Sequence, residues 1–305
     1  MGINLVVAVT DADWFAHLRQ LPSLNEANFW APSPKRFRAL QPGELFLFKL
    51  HAPHNVIVGG GVFAYANVMP CSLAWSAFGE SNGAKSAQEM RSRIARYRRG
   101  EQSDKSDFDI GCRILTQPFF LDESEWIDIP TDWSPNIVSF KTYNTDEPNI
   151  RMLWEKVSGR STPALSHRLA EERPRFGEPY LLRPRLGQGA FRILVTDTYN
   201  RRCAVTRERV LPALDAAHIR PYSEGGEHEV SNGILLRRDI HSLFDAGYVT
   251  ITPDLHFEVS RSIQEEFDNG KHYYALHGKS IELPANAACR PDANALAWHN
   301  EQFKG

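Results

Sequence analysis

The sequence predicts an α+β chain of two domains, and three observations carry that prediction. The first 140 residues are rich in strand-like apolar runs broken by turn signals, with a few helical stretches between them. Residues 214–245 read as strand, loop, strand, helix, a short unit that closes on itself. Between the two regions, 158–187 is dense in Pro, Arg and Gly and reads as an irregular connector. A chain of 305 residues has room for a core in each domain, and 42% hydrophobic with 24% charged content is ordinary for a folded protein. The expected boundaries are 1–140, a basic connector 141–187, and 188–305.

Taken in order, "INLVVAV" is a buried strand and "DADWFAHLRQL" a helix with Asp11 or Asp13 at its N-cap. "LQPG" is a turn before the strand "ELFLFKL", and "NVIVGGGVFAY" is the next strand. Residues 72–79 and 86–99 are helical, "DIGCRIL" is a strand, and "PTDWSPNI" breaks the pattern. "GQGAFRILVTDTYNRR" restarts a helical period. "LDAAHI" and "GILLRR" are strands around the loop "PYSEGGEHEVSN", and "DIHSLFDA" is a helix with Asp239 as N-cap and Gly247 as its stop. No repeat or low-complexity tract is present.

The net charge of −2 hides an uneven distribution. Residues 151–210 carry 13 Lys/Arg against 6 Asp/Glu, and "RSRIARYRR" places five arginines in 91–99. Arginine forks suit phosphate oxygens, so Arg91, Arg93, Arg96 and, beside the loop, Arg220 are candidate contacts to a DNA backbone; a solvated helix face is the competing reading of the cluster. The four cysteines are widely separated and form no CxxC pair, which fits reduced thiols in a cytoplasm and gives no support to a thiolate zinc site. The first residues have no basic leader and too short an apolar run for a signal peptide or membrane span, so the expectation is a cytoplasmic protein with no membrane partner.

Residues 215–248 carry the chemistry: His218, Asn232, His241 and Asp245 lie around a glycine-rich loop. Phosphodiester hydrolysis needs an activated water and a cation to absorb charge on phosphorus. Histidine titrates near neutrality and suits the first task. His241 and Asp245 are i and i+4 on one helix face and suit the second, while an amide at 232 can both donate and accept to brace a loop.

The spacing "H218-x13-N232-x8-H241-x3-D245", within "CAVT…DAAHIRPYSEGG…NGILLRRDIHSLFDAG", resembles the HNH, or ββα-metal, endonucleases and in particular the HNH domains of bacterial restriction enzymes. The resemblance covers about 188–250. It implies that His218 is the general base, that His241 binds the metal, that Asn232 holds the loop and base, and that Asp245 stands where a second helix ligand can occur. One departure is Ala217, where a ligand often precedes the base; Asp215, two residues earlier, can replace it if the strand bends or bulges. The implied cofactor is Mg²⁺, with Mn²⁺ able to substitute. The implied products are 3′-hydroxyl and 5′-phosphate ends. One such site cuts one strand, so a double-strand break calls for a homodimer or two events. His228 and His256 read as exposed polar residues outside the site.

In the first domain, "NFWAPSPKRFRALQPGELFLFKLHAPHNVIVGGGVF" resembles the PUA-like domains, including the EVE type. That likeness implies a compact β-barrel that binds a modified base in a pocket. Reading a base requires lifting it from the stack into an aromatic cage. The candidates for base binding are Trp30, Trp75 and Phe78, with Phe46 and Phe48 nearby in sequence; Trp30 and Trp75 occupy loop-like settings, and core packing is the alternative for each ring. Gly59–Gly61 would allow close approach of a ligand or mark a strand bend. The combined expectation is a modification-dependent restriction endonuclease acting on double-stranded DNA. Its rivals are a non-catalytic reader of modified DNA and an HNH nuclease indifferent to modification.

Overall fold

The computed structural model describes residues 2–98, 107–158, 179–182 and 184–305. The chain divides into two compact units, Met1–Ala190 and Phe191–Gly305. Arg99 of the arginine cluster and residues 159–178 and 183 of the expected connector lie outside the described residues.

The first unit is built on one mixed sheet. Its strands are β1 (Asn4–Thr10), β2 (Glu26–Ala31), β3 (Leu45–Leu50), β4 (Val56–Pro70), β5 (Asp109–Phe120), β6 (Ile127–Asp128) and β7 (Phe140–Asn144). Its helices are α1 (Ala12–Arg19), α2 (Cys71–Phe78), α3 (Ala87–Tyr97) and α4 (Pro148–Ser158). The strand order is β2-β5-β4-β3-β1-β7, with β6 on β4; β1 and β3 run parallel and the other ladders are antiparallel. Among the described residues no ladder joins β2 to β7, so the expected barrel is corrected to an open sheet. β4 is long enough to pair with β3, β5 and β6, and register shifts at Gly60/Val62 and Phe63/Tyr65 bend it along β5.

The apolar run of β1 is continuous because both faces of the sheet are covered. Leu5 and Val7 join a core with Leu45, Leu47, Ile150, Leu153 and Trp154, while Val6 and Ala8 join another with Trp14, Phe15, Phe46 and Phe48. The stretch 141–158, read from sequence as connector, contributes β7 to the sheet and α4 to the first of these cores. Asp11 caps α1, accepting from the amides of Asp13 (2.8 Å) and Trp14 (3.1 Å).

The second unit holds most of α5 (Gln188–Thr198), then β8 (Leu214–His218), β9 (Gly233–Arg237), α6 (Arg238–Asp245), β10 (Val249–Ile251), β11 (Phe257–Val259), α7 (Ser262–Phe267), α8 (Lys271–Tyr274) and α9 (Ala293–Glu301). β8 and β9 pair antiparallel in unbroken register from Leu214↔Arg237 to His218↔Gly233. Phe191, Val195 and Tyr199 of α5, Ile234–Leu236 of β9, and Ile240 and Phe244 of α6 form one core. The strand–loop–strand–helix order is as the sequence predicts, with one difference at the helix start. Arg237 is the N-cap residue, and Asp239 sits in the first turn and pairs with Arg237. Gly247 follows the helix in the left-handed region at φ 73°, where a side chain would be strained. Among the described residues no helix is long and apolar enough to cross a membrane.

Candidate active site

The end of β8, the loop after it and one face of α6 bring the predicted polar residues together. Asn232 is buried and uses its whole amide on the loop. Its Oδ1 accepts from Arg220 N at 2.9 Å, and its Nδ2 donates to the carbonyl oxygens of Arg220 and Glu227, each at 2.9 Å. One side chain thereby ties the residues just after His218 to the residue just before His228. Gly226 lets the loop close: a Cβ there would lie 1.9 Å from Arg220 O. Arg220 itself is exposed, donates from Nε to Glu224 O at 2.6 Å, and lies 5.6 Å from the ring of Trp298.

His218 lies flat on Phe191, with ring centroids 3.9 Å apart and planes at 10°. Its Nε2 is 2.9 Å from Nδ1 of His228, whose ring stacks on Tyr222 at 5.2 Å and 8°. Burial, then the charges of His228 and His241, push the His218 imidazole down to about 4, so it is unprotonated at neutral pH and keeps one lone pair.

His241 is in the opposite condition. Its Nδ1 is 3.5 Å from Asp215 Oδ2 and its Nε2 3.3 Å from Asp245 Oδ2. Burial opposes its charge, but the two carboxylates outweigh burial and hold it up to about 9. Asp215 reaches His241 with no bulge in β8, so the bend that the sequence seemed to require is absent. Arg192 of α5 also lies 3.5 Å from Asp215; burial raises that carboxyl, and His241 and Arg192 together leave it lowered.

A neutral imidazole beside carboxylates is a donor set that suits a divalent cation. As they stand, the two carboxylates pair with opposite nitrogens of the His241 ring. Among the described residues no group of three or more His, Cys, Asp or Glu is arranged to hold an ion.

The candidate residues of the first unit are more dispersed in role. Trp30 lies in β2, not in a loop; it is partly buried and donates from Nε1 to Asn82 O at 3.0 Å. Trp75 lies in α2 and is partly exposed. Phe78 is 5% exposed, and Phe46 and Phe48 are buried in the core, so none of these three presents a face to a base. Gly59 and Gly60 serve the sheet, since a Cβ on Gly59 would lie 2.3 Å from Phe119 O. Arg93 is also corrected as a DNA contact: it is 7% exposed and bonds to Gly83 O (2.7 Å) and Glu89 (2.6 Å). Arg91 pairs with Asp107 at 3.4 Å, and Arg96 is exposed.

Two site residues escape sequence reasoning. His228 reads as loop surface, and only its place after Glu227, which Asn232 anchors, turns it toward His218. Arg192 reads as one of many arginines on a helical stretch. No residue spacing signals either.

A model of the HNH endonuclease family matches residues 203–252. No curated protein matches the chain. Among solved structures, a modification-dependent TagI restriction endonuclease is similar at 13% identity, covering 98% of this chain and 81% of that chain, with a TM-score of 0.31. So distant a likeness assigns nothing to this chain. The matched segment contains β8, the braced loop, β9 and α6, with His218, Asn232, His241 and Asp245 all inside it. Residues 203–252 are an HNH endonuclease domain, and the chain that carries it is a nuclease.

Proposed function

We propose that the chain is a modification-dependent endonuclease that hydrolyses the backbone of double-stranded DNA. The observation that carries the hydrolytic part is geometric: half-buried His218 ends β8 beside a loop that Asn232 braces at both ends, and His241 stands between two carboxylates, 3.5 Å from Asp215 and 3.3 Å from Asp245. His218 takes the proton of the attacking water. Asn232 keeps the loop from drifting, because both loop ends hang on its amide. His241 with one of its two flanking acids, Asp215 or Asp245, would hold a divalent cation, Mg²⁺ or Mn²⁺. When bound, such an ion neutralises charge on the phosphate and on the departing 3′ oxygen. Exposed Arg220 and Arg96 are suited to phosphate contacts.

Reading of a modified base is assigned to the first unit. Its support is the resemblance of the sequence pattern over residues 28–63 to PUA-like domains, without their barrel, and the partial exposure of Trp30 and Trp75. A homodimer would allow both strands to be cut. The test is a panel of matched duplexes, unmodified and carrying methylated, hydroxymethylated or glucosylated bases or a backbone sulfur, incubated with Mg²⁺ or Mn²⁺. Faster cutting of one modified duplex is expected. Equal cutting of all would leave an HNH nuclease indifferent to modification, and metal-dependent binding without cutting would leave a reader.

A further inference from the structure

We propose that His228 is a positioning residue for the proton acceptor: it accepts the Nε2–H of His218 and so leaves Nδ1 of His218 as the atom that takes the proton from water. The inference rests on the reading of His218 as general base.

A bond of 2.9 Å between His218 Nε2 and His228 Nδ1 holds a single hydrogen when both rings are neutral. Burial favours the neutral form of each ring, pushing His218 down to about 4 and lowering His228 as well. Two tautomeric arrangements then exist. If His228 donates, the Nε2 lone pair of His218 is engaged, its proton sits on Nδ1, and the ring has no free lone pair with which to act as a base. If His218 donates, its Nδ1 lone pair is free. Nδ1 makes no hydrogen bond among the described residues, so it is open to a water. Only the second arrangement is competent.

The surroundings hold the two rings in this pairing. Phe191 fixes the plane of His218, and Tyr222 fixes that of His228. The loop between them is closed by Gly226 N donating to Pro221 O (3.0 Å), Gly225 N to Tyr222 O (3.1 Å) and Asn232 Nδ2 to Glu227 O (2.9 Å). In the reaction an O–H bond of water breaks and its proton goes to Nδ1 of His218. The oxygen forms a bond to phosphorus, the bond from phosphorus to O3′ breaks with its electrons on O3′, and O3′ takes a proton from solvent. The resulting imidazolium still donates from Nε2 to His228, which supports its charge while the new bond forms.

The test separates the acceptor from the ring. His228→Phe keeps an aromatic face against Tyr222 and removes the acceptor. His228→Asn removes the ring and returns an acceptor oxygen near the place of Nδ1. Under single-turnover conditions on duplex DNA, His228→Phe should cut about ten- to a hundredfold more slowly with unchanged DNA binding. His228→Asn should recover to within a few-fold of wild type. Nitrogen-15 NMR of histidine-labelled protein should show His218 protonated on Nε2 in wild type and His228→Asn, and a tautomer mixture in His228→Phe. Wild-type cutting by His228→Phe, or His228→Asn as slow as His228→Phe, would overturn the proposal. If His228→Phe does not fold, the wild-type spectrum still decides, since protonation of His218 on Nδ1 overturns it. Full cutting by His218→Ala would instead remove the base itself. An inactive His218→Ala beside a fully active His228→Phe would remove only the role of His228.

Discussion

The β8–loop–α6 region and the β2–α2 region of the first unit were both read from sequence as functional, and they differ in what their side chains are bonded to. Around β8 and α6 the polar groups face one another: His218 on His228, His241 on Asp215 and Asp245, and Asn232 on both loop ends. Around β2 and α2 most of the candidate groups belong to the fold: Phe78 is buried, and Trp30 is bonded to Asn82 O. Polar residues at fixed spacing have few reasons to converge except chemistry. Aromatic residues are also the largest contributors to a core, so their presence alone distinguishes little.

The sharpest test of the polar region comes from the cluster around His241. His241→Ala should abolish cleavage, by loss of ion affinity and not of DNA binding. Asp215→Asn and Asp245→Asn should each raise the Mg²⁺ concentration required, because an amide is a weaker partner for a hard cation. Asp215 is the more buried and the better oriented, held by Arg192 as well as His241, so its change should be the greater. A titration of cutting rate against Mg²⁺ measures all three. An unaltered requirement in both acid variants would mean that they only orient His241.

In the first unit the contrast is between rings that remain partly open and the ring that is core. Trp30→Ala or Trp75→Ala removes a stacking face of about 1–3 kcal/mol per base. That should reduce preference for modified DNA by about one to two orders of magnitude while slow nicking of unmodified DNA stays unchanged. Phe78→Ala should instead destabilise the unit by about 3–5 kcal/mol, seen in denaturant unfolding. Equal loss on both DNAs in the tryptophan variants would make them core as well.

The arginines divide in the same way. Arg96→Ala should weaken binding to every duplex by a similar few-fold factor and reduce its salt dependence. Arg93→Ala should lower stability with no change in salt slope, because its partners are Gly83 O and Glu89. Filter binding at several salt concentrations, beside thermal unfolding, tells them apart.

The smallest effect concerns pH, in protein kept free of metal by a chelator. The folded-state value of His218 lies below the ordinary value of about 6.5, so its contribution to stability is present above 6.5 and is lost as pH falls toward about 4. His241 is raised, so its contribution is present below 6.5 and is lost as pH rises through about 9. The buried His299, lowered by burial, adds to the acid side. The thermal midpoint should therefore peak near pH 6.5, with a change on the order of a few degrees on either side. Asp245→Asn should flatten the alkaline limb, and His218→Phe the acid limb.

Much of the second unit was legible because its signals are local. The short apolar runs of "LDAAHI" and "GILLRR", the glycine loop between them and the helical spacing of His241 and Asp245 each specify an element within a few residues. The helix start was misread by two positions, since Asp239 is as good a cap as Ser or Asn in sequence, and only its pairing with Arg237 and the Tyr273 hydroxyl (3.3 Å) uses it otherwise. His228 was illegible because its role depends on a contact made by the backbone beside it, from Asn232 to Glu227 O. In the first unit, β1 and β3 were plain from their apolar runs, whereas β2 was missed because "EANFWA" mixes charge, amide and aromatic residues within one strand. The openness of the sheet depends on which edges meet, and no local pattern encodes that.

His218, a neutral imidazole on a braced loop, is proposed as the base of a phosphodiester hydrolase. Cleavage and binding of one duplex, measured side by side for wild type and His218→Ala with Mg²⁺ present, test it most directly. Equal binding, an unchanged thermal midpoint at pH 7.5 to within a few degrees, and a cleavage rate about a hundred- to ten-thousandfold lower in the variant are expected. Cleavage by His218→Ala at the wild-type rate would contradict it.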